Sequence, residues 1–164
     1  MPKFYRRHFA RRGPRDKYSV ENKGGSLTTA SAATNNWFQN AVNIVPPTSV
    51  EGMRKIKHTT VTLSAPLTEG GVCAYALIYV PEGYTANALF STAGSLYEPN
   101  QFVMQCGIMD FTAGPIRIRS PISRNLNSGD SIWLVVGTTA ANTVITYFCK
   151  YAITLQWTST QTIV

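Results

Sequence analysis

Forty-two of the 164 residues are Val, Ile or Thr, numbering 12, 11 and 19. Side chains branched at Cβ are stiff at χ1 and pack well on a pleated surface, so this content favours strands over helices. Short strand-like runs recur, eight of them, over about 18–28, 38–45, 53–64, 72–80, 101–109, 116–120, 131–137 and 144–157. Between them lie Val45-Pro46-Pro47-Thr48, Pro81-Glu82-Gly83, Ala113-Gly114-Pro115 and Asn125-Leu126-Asn127-Ser128-Gly129-Asp130. Pro and Gly preset turn dihedrals, while Asn, Asp and Ser hydrogen-bond their own backbone. Segment 84–100 has weak periodicity and reads as a long loop with at most one helical turn. There is no internal repeat and no heptad. Short strands at this spacing predict an all-β sandwich or barrel, and 164 residues make one domain.

The pattern within the strands separates two kinds. In Ile116-Arg117-Ile118-Arg119, a period of two places the isoleucines toward a core and the arginines toward solvent or a partner. By contrast, Cys73-Ala74-Tyr75-Ala76-Leu77-Ile78-Tyr79-Val80 and Ile132-Trp133-Leu134-Val135-Val136 are apolar on both faces. Such strands are either covered on two sides or packed against a neighbouring subunit.

With 44% hydrophobic residues the chain can bury a core, which rules out global disorder, and with only 14% charged residues most of its surface is neutral and polar. A surface so poor in charge suits a subunit that buries much of itself against copies of itself. The net charge of +7 is unevenly placed. Residues 1–23 hold eight cations and two acids, a net of +6, whereas 24–164 hold seven and six, a net of +1. The excess is an N-terminal arm, residues 1–17, ahead of a nearly neutral body, 18–164.

That arm interleaves Lys3, Arg6, Arg7, Arg11, Arg12, Arg15 and Lys17 with Phe4, Tyr5 and Phe9. Cations release counterions from phosphates and rings stack on bases, the two components of sequence-independent binding to single-stranded nucleic acid. High charge and little apolar periodicity predict an arm that is disordered alone and orders on binding. A basic stretch of this kind also serves as a nuclear localisation signal. Arg54, Lys55 and Lys57 open one strand and either extend the arm's field over the inner surface of an assembly or form a solvated strand end. Arg117, Arg119 and Arg124 suit intersubunit salt bridges equally well.

Catalysis finds little support. His8 lies in the arm and His58 in the basic stripe of residues 54–58. The chain has no HExxH, GxSxG, phosphate-cradling glycine loop or EF-hand pattern. Glu98, Asp110 and Asp130 stand singly beside turn residues, which favours Asx-turn or capping duty over a paired acid–base role. No metal-ligand constellation is present, and no cofactor is expected. Cys73, Cys106 and Cys149 are widely spaced in apolar runs, and the expectation is three buried free thiols. The longest apolar run, 72–81, is too short for a membrane helix, so no membrane span is expected. A secretory signal is not expected either, since the basic start meets Gly13-Pro14-Arg15, and Pro2 with Gly13-Pro14 spoils the amphipathic helix of a mitochondrial presequence.

Several segments carry a resemblance. Val42-Asn43-Ile44-Val45-Pro46-Pro47, Gly52-Met53-Arg54-Lys55-Ile56-Lys57-His58, Tyr79-Val80-Pro81-Glu82-Gly83 and Leu96-Tyr97-Glu98-Pro99-Asn100-Gln101-Phe102-Val103-Met104 are four of them. Gly114-Pro115-Ile116-Arg117-Ile118-Arg119-Ser120-Pro121, continuing through Arg124-Asn125-Leu126-Asn127-Ser128-Gly129-Asp130-Ser131, is the longest. Together, over residues 16–157, they resemble the capsid proteins of small circular Rep-encoding single-stranded DNA viruses, the circovirus-like group. The resemblance implies an eight-stranded viral jelly roll of two four-stranded sheets. It further implies sixty copies in an icosahedral T=1 shell around circular single-stranded DNA, with the arm projecting inward to bind it. Implied with it are an unknown host receptor, residence in the virion, and a host-nuclear stage during assembly. This chain is shorter than the better-known circovirus coats, and its arm is less dense in arginine. The competing expectation is a non-viral β-sandwich module, monomeric or a small oligomer, that binds nucleic acid or carbohydrate through an aromatic-lined groove.

Overall fold

The computed structural model describes residues 18–33, 36–66, 71–86 and 102–154. Nine strands form there: β1 (Tyr18–Thr28), β2 (Phe38–Val45), β3 (Arg54–Ser64), β4 (Val72–Val80), β5 (Phe102–Asp110), β6 (Ile116–Ser120), β7 (Arg124–Leu126), β8 (Ser131–Thr138) and β9 (Val144–Thr154). Four of the expected runs agree residue for residue. β3 starts one residue later than expected, β5 is shifted by one, β8 runs one further, and positions 155–157 of the last run lie outside the described residues. The 3-10 turn Phe111–Ala113 was not anticipated, and of the expected loop 84–100 only 84–86 are described.

The strands make two antiparallel sheets, ordered β1-β9-β3-β6 and β2-β8-β4-β5. β7, which the sequence pattern did not show, is the continuation of β6. The two lie on β3 in succession, β6 against 59–63 and β7 against 54–56. Pro121, with no N–H to donate, stands at the break. Counting β6 and β7 as one gives four strands facing four. Consecutive strands switch sheets except at the β4–β5 hairpin, and the first and last described strands, β1 and β9, are neighbours. This is the jelly roll, two Greek keys folded over one core.

The inward positions of both sheets supply that core. Ile56 and Leu63 of β3, Leu77 of β4, Leu134 of β8 and Ile145 of β9 are all at most 1% exposed. Each such side chain contributes about 1.5–3 kcal/mol of burial. β9 reads the pleat directly: Ile145, Tyr147, Cys149, Tyr151 and Ile153 are buried, while Val144, Thr146, Phe148 and Lys150 are exposed. β3 does not alternate so simply. Its register on β9 shifts between Lys57 and Thr60, and His58 sits there at φ 55°. The extra residue reverses the parity of the strand. As a result Ile56 and Val61, an odd number apart, both face the core, and Lys57 and Thr60 both face away from it.

The two-faced apolar strands are covered on both sides within one chain. Ala74, Ala76, Ile78 and Val80 point away from the main core yet are at most 3% exposed. They form a second cluster with Val135, against which Trp37, Trp133 and Ala86 pack. The expectation of three buried thiols is corrected. Cys73 and Cys149 are buried, but Cys106 is exposed, because it lies on edge strand β5 with its side chain on the outward face, opposite Ala76.

Candidate nucleic-acid interface

The arm residues Lys3, Phe4, Tyr5, Arg6, Arg7, Phe9, Arg11, Arg12, Arg15 and Lys17 lie outside the described residues, as do His8 and Glu98. The arm joins the domain at Tyr18, the first residue of β1, and at that junction stands Lys57, its Nζ 3.5 Å from the centre of the Tyr18 ring. This cation–π contact holds the ammonium at the arm's point of entry.

The three candidate body residues are divided between two faces. Lys55 and Lys57 flank the buried Ile56 and so point outward. Arg54 alternates with them and lies opposite the buried Leu126, with its Nη2 donating to Pro46 O at 3.1 Å. Arg54 thus ties the β2–β3 connection to the end of the sandwich rather than joining a solvated stripe. Arg124 also lies on the inward side, opposite Ile56, with its guanidinium 5.5 Å from the centre of the Tyr79 ring. Lys23, inward-facing on β1, donates to Asn43 O at 2.6 Å and so links the two sheets.

The outward face of the first sheet gathers the remaining cations. Strand register sets them in rows. Asn22, Lys150, Thr60 and Arg119 form one row across β1, β9, β3 and β6. Gly24, Phe148, Thr62 and Arg117 form the next, and Val20, Ala152 and Lys57 lie on the other side. Beyond these is Lys55, whose N–H donates to Thr154 Oγ1 at 2.7 Å. Five of the eight cations among the described residues therefore share one face. Its strands place no Asp or Glu there, since Glu21 faces inward and accepts from Tyr151 Oη at 2.8 Å. Rows are about 6.8 Å apart along the strands and neighbours in a row about 4.8 Å apart, so the charges cover a continuous patch.

Sequence reading proposed Lys55 and Lys57 but not Lys150 or Phe148. The period-two pattern of β9 carries the signal for both, since alternate positions there are apolar and buried. Placing them beside Arg117 and Arg119 requires the sheet order, which no local pattern shows.

Of the three carboxylates expected to act in turns, Asp110 and Asp130 do so, and Glu98 lies outside the described residues. Asp110 accepts from Thr112 N at 2.9 Å, which caps the 3-10 turn and holds its carboxyl below the usual range. Asp130, 4% exposed, accepts from Asn127 N at 2.7 Å, Tyr79 Oη at 2.8 Å and Glu82 N at 3.2 Å. Burial, with the Asp130 hydrogen bond second, raises the Tyr79 phenol to about 12. Burial likewise raises the Cys73 and Cys149 thiols to about 12, a direction opposite to that of a reactive nucleophile. Among the described residues no three of His, Cys, Asp and Glu come together as a metal site, and no helix is long and apolar enough to cross a membrane.

The sequence matches no protein-family model and no curated protein. Several solved structures align with this chain at low identity and low TM-score. A structure of Desmodium yellow mottle tymovirus is 14% identical over 99% of this chain and 99% of that one, with a TM-score of 0.42. The 60-mer BFDV capsid protein is 10% identical over 91% and 98% of the two chains, with a TM-score of 0.40. The VP2 subviral particle of infectious bursal disease virus is 10% identical over 85% of this chain and 42% of that one, with a TM-score of 0.25.

Proposed function

We propose that the protein is a viral coat subunit. It assembles through its jelly roll into a small icosahedral shell, of sixty copies, and packages circular single-stranded DNA with its basic arm. The observation that carries the reading is the division of labour along the chain. A jelly roll with little surface charge follows an arm of seven cations and three aromatic rings, and the two meet at Tyr18 beside Lys57. Apolar side chains left on the surface of the domain support self-association, among them Ile108 of edge strand β5, 71% exposed. Sixty arms of net +6 carry about 360 positive charges, enough to neutralise several hundred phosphates. DNA rather than RNA, and the virion with a nuclear stage, follow from the resemblance of the sequence to circovirus-like coats. No cofactor, metal or catalytic step enters the function.

Purified protein is expected to form uniform shells that hold nuclease-protected nucleic acid, which negative-stain microscopy and absorbance after nuclease treatment would read. Deleting residues 1–17 leaves every described strand in place, so the domain is expected to stay folded while the protected nucleic acid falls several-fold. A protein that stays monomeric at high concentration and neutral pH overturns the coat assignment, and unchanged nucleic acid after the deletion overturns the role of the arm.

A further inference from the structure

We propose that the outward face of the β1-β9-β3-β6 sheet is itself a binding site for single-stranded nucleic acid, separate from the arm, with Phe148 as the platform on which a base stacks. The inference deepens the coat-protein reading by naming a contact surface on the folded domain, and it rests on that reading only for the identity of the polyanion.

Three observations carry it. The first is charge: Lys55, Lys57, Lys150, Arg117 and Arg119 share a face on which the described strands place no carboxylate. Arg117, Arg119 and Lys150 are exposed, so a phosphate backbone reaches them without rearrangement of the domain.

The second is the ring. Phe148 is 52% exposed at the centre of this face, one row from Lys150 and in the same row as Arg117. A large apolar side chain among cations gains nothing from the core, which lies on the other side of β9.

The third is the floor beneath the ring. Phe148 leans over Gly24 of β1, where a Cβ would stand 3.4 Å from its Cδ2. With no side chain at Gly24 the ring lies low against the strand, and its other side is left to solvent. Cations that track a backbone around an aromatic platform are how proteins hold unpaired bases without reading sequence. A duplex, with its bases already stacked, uses the charge but not the ring.

The test uses the full-length chain at nanomolar concentration, with a fluorescent 20-nucleotide oligo-dT and a duplex of equal length as probes. For R117T/R119T/K150T, the slope of log affinity against log salt falls by about 2, as three lost phosphate contacts require, and affinity for oligo-dT drops at least ten-fold at 0.15 M salt. For F148T, affinity for oligo-dT falls about ten-fold at an unchanged salt slope, while duplex affinity does not move. All these positions are solvent-facing and Thr is a strand former, and circular dichroism checks that the fold is intact. A variant in which arm residues Arg6, Arg7, Arg11 and Arg12 are Ser separates the two sites. It keeps measurable oligo-dT binding, and that residual binding is lost on adding the triple substitution.

Wild-type affinity and salt slope in the triple variant overturn the proposal even if arm neutralisation abolishes packaging, and they leave the coat assignment standing. Equal loss of oligo-dT and duplex binding in F148T removes the stacking platform. Heparin binding that falls with the triple variant while oligo-dT binding does not shows the face to be a polysaccharide site instead, which also overturns it.

Discussion

Asp130 closes a turn by accepting two backbone hydrogen bonds, from Asn127 and Glu82, and one from the Tyr79 phenol of β4. Its place after Asn127-Ser128-Gly129 made the turn role legible, because Asp and Asn beside Gly bond their own backbone. The reach to Tyr79 and Glu82, about 50 residues away in sequence, was not legible, since only the packing of the β4 and β8 ends brings them together. Gly129 shows the same limit. It sits at φ 80°, and a Cβ there would stand 2.4 Å from Glu82 Cγ, so both backbone and space require glycine. Asp130→Ala leaves a half-buried phenol and two N–H groups without their acceptor. It is expected to destabilise the domain by roughly 2–4 kcal/mol, and Asp130→Asn, which keeps one acceptor oxygen, by less. Urea unfolding of the wild type and both variants checks the size and the order.

Strands were legible where one rule governed them. In β6 and β9 the alternation of apolar and polar residues matches the pleat, and β4, with no polar face at all, could be recognised as either covered on two sides or packed against a neighbouring subunit, but not which. β7 escaped because three residues, Arg124–Leu126, bounded by Ser and Asn, are too short to show a period. The bulge in β3 escaped because nothing in Lys57-His58-Thr59 marks an extra residue, and with it went the knowledge of which cations share a face. Cys106 was misassigned for a related reason: an apolar run on an edge strand is not a buried one. β5 forms that edge, carries no charge from Phe102 through Met109, and exposes 71% of Ile108. An uncharged edge is a ready surface for a second copy of the chain. Ile108→Lys is therefore expected to block assembly while changing the stability of the isolated subunit by no more than about 0.5 kcal/mol. Sedimentation velocity reads the first effect and thermal unfolding the second. Shells that form normally from this variant exclude β5 from the subunit contacts.

At the scale of the whole molecule, a body of net charge +1 looked featureless in the sequence, but the fold sorts its charges. Five cations go to one sheet face, while Asp110 and Asp130 go to turns and Glu21 faces inward. What the sum hid is a polarised domain. The groups whose pKa values the fold raises are neutral thiols and phenols, at least partly buried. Burial raises Cys73 and Cys149 from 9.0 to about 12 and Tyr79 from 10.0 to about 12, and it raises Tyr151 as well, with its hydrogen bond to Glu21 as the second cause. Because these pKa values are raised in the fold, the unfolded chain loses the protons first. The stability they contribute is complete below about pH 9, and it falls as pH rises toward 12. Each group that is ionised unfolded and neutral folded steepens the fall by about 1.4 kcal/mol per pH unit. The midpoint of urea unfolding should hold steady from pH 7 to 8.5 and then drop with increasing steepness above pH 9. In Cys73→Ala/Cys149→Ala the onset should move toward pH 10, where of these four groups only the two tyrosines remain to ionise. An onset that stays at pH 9 without the two thiols would show that other groups drive the alkaline loss.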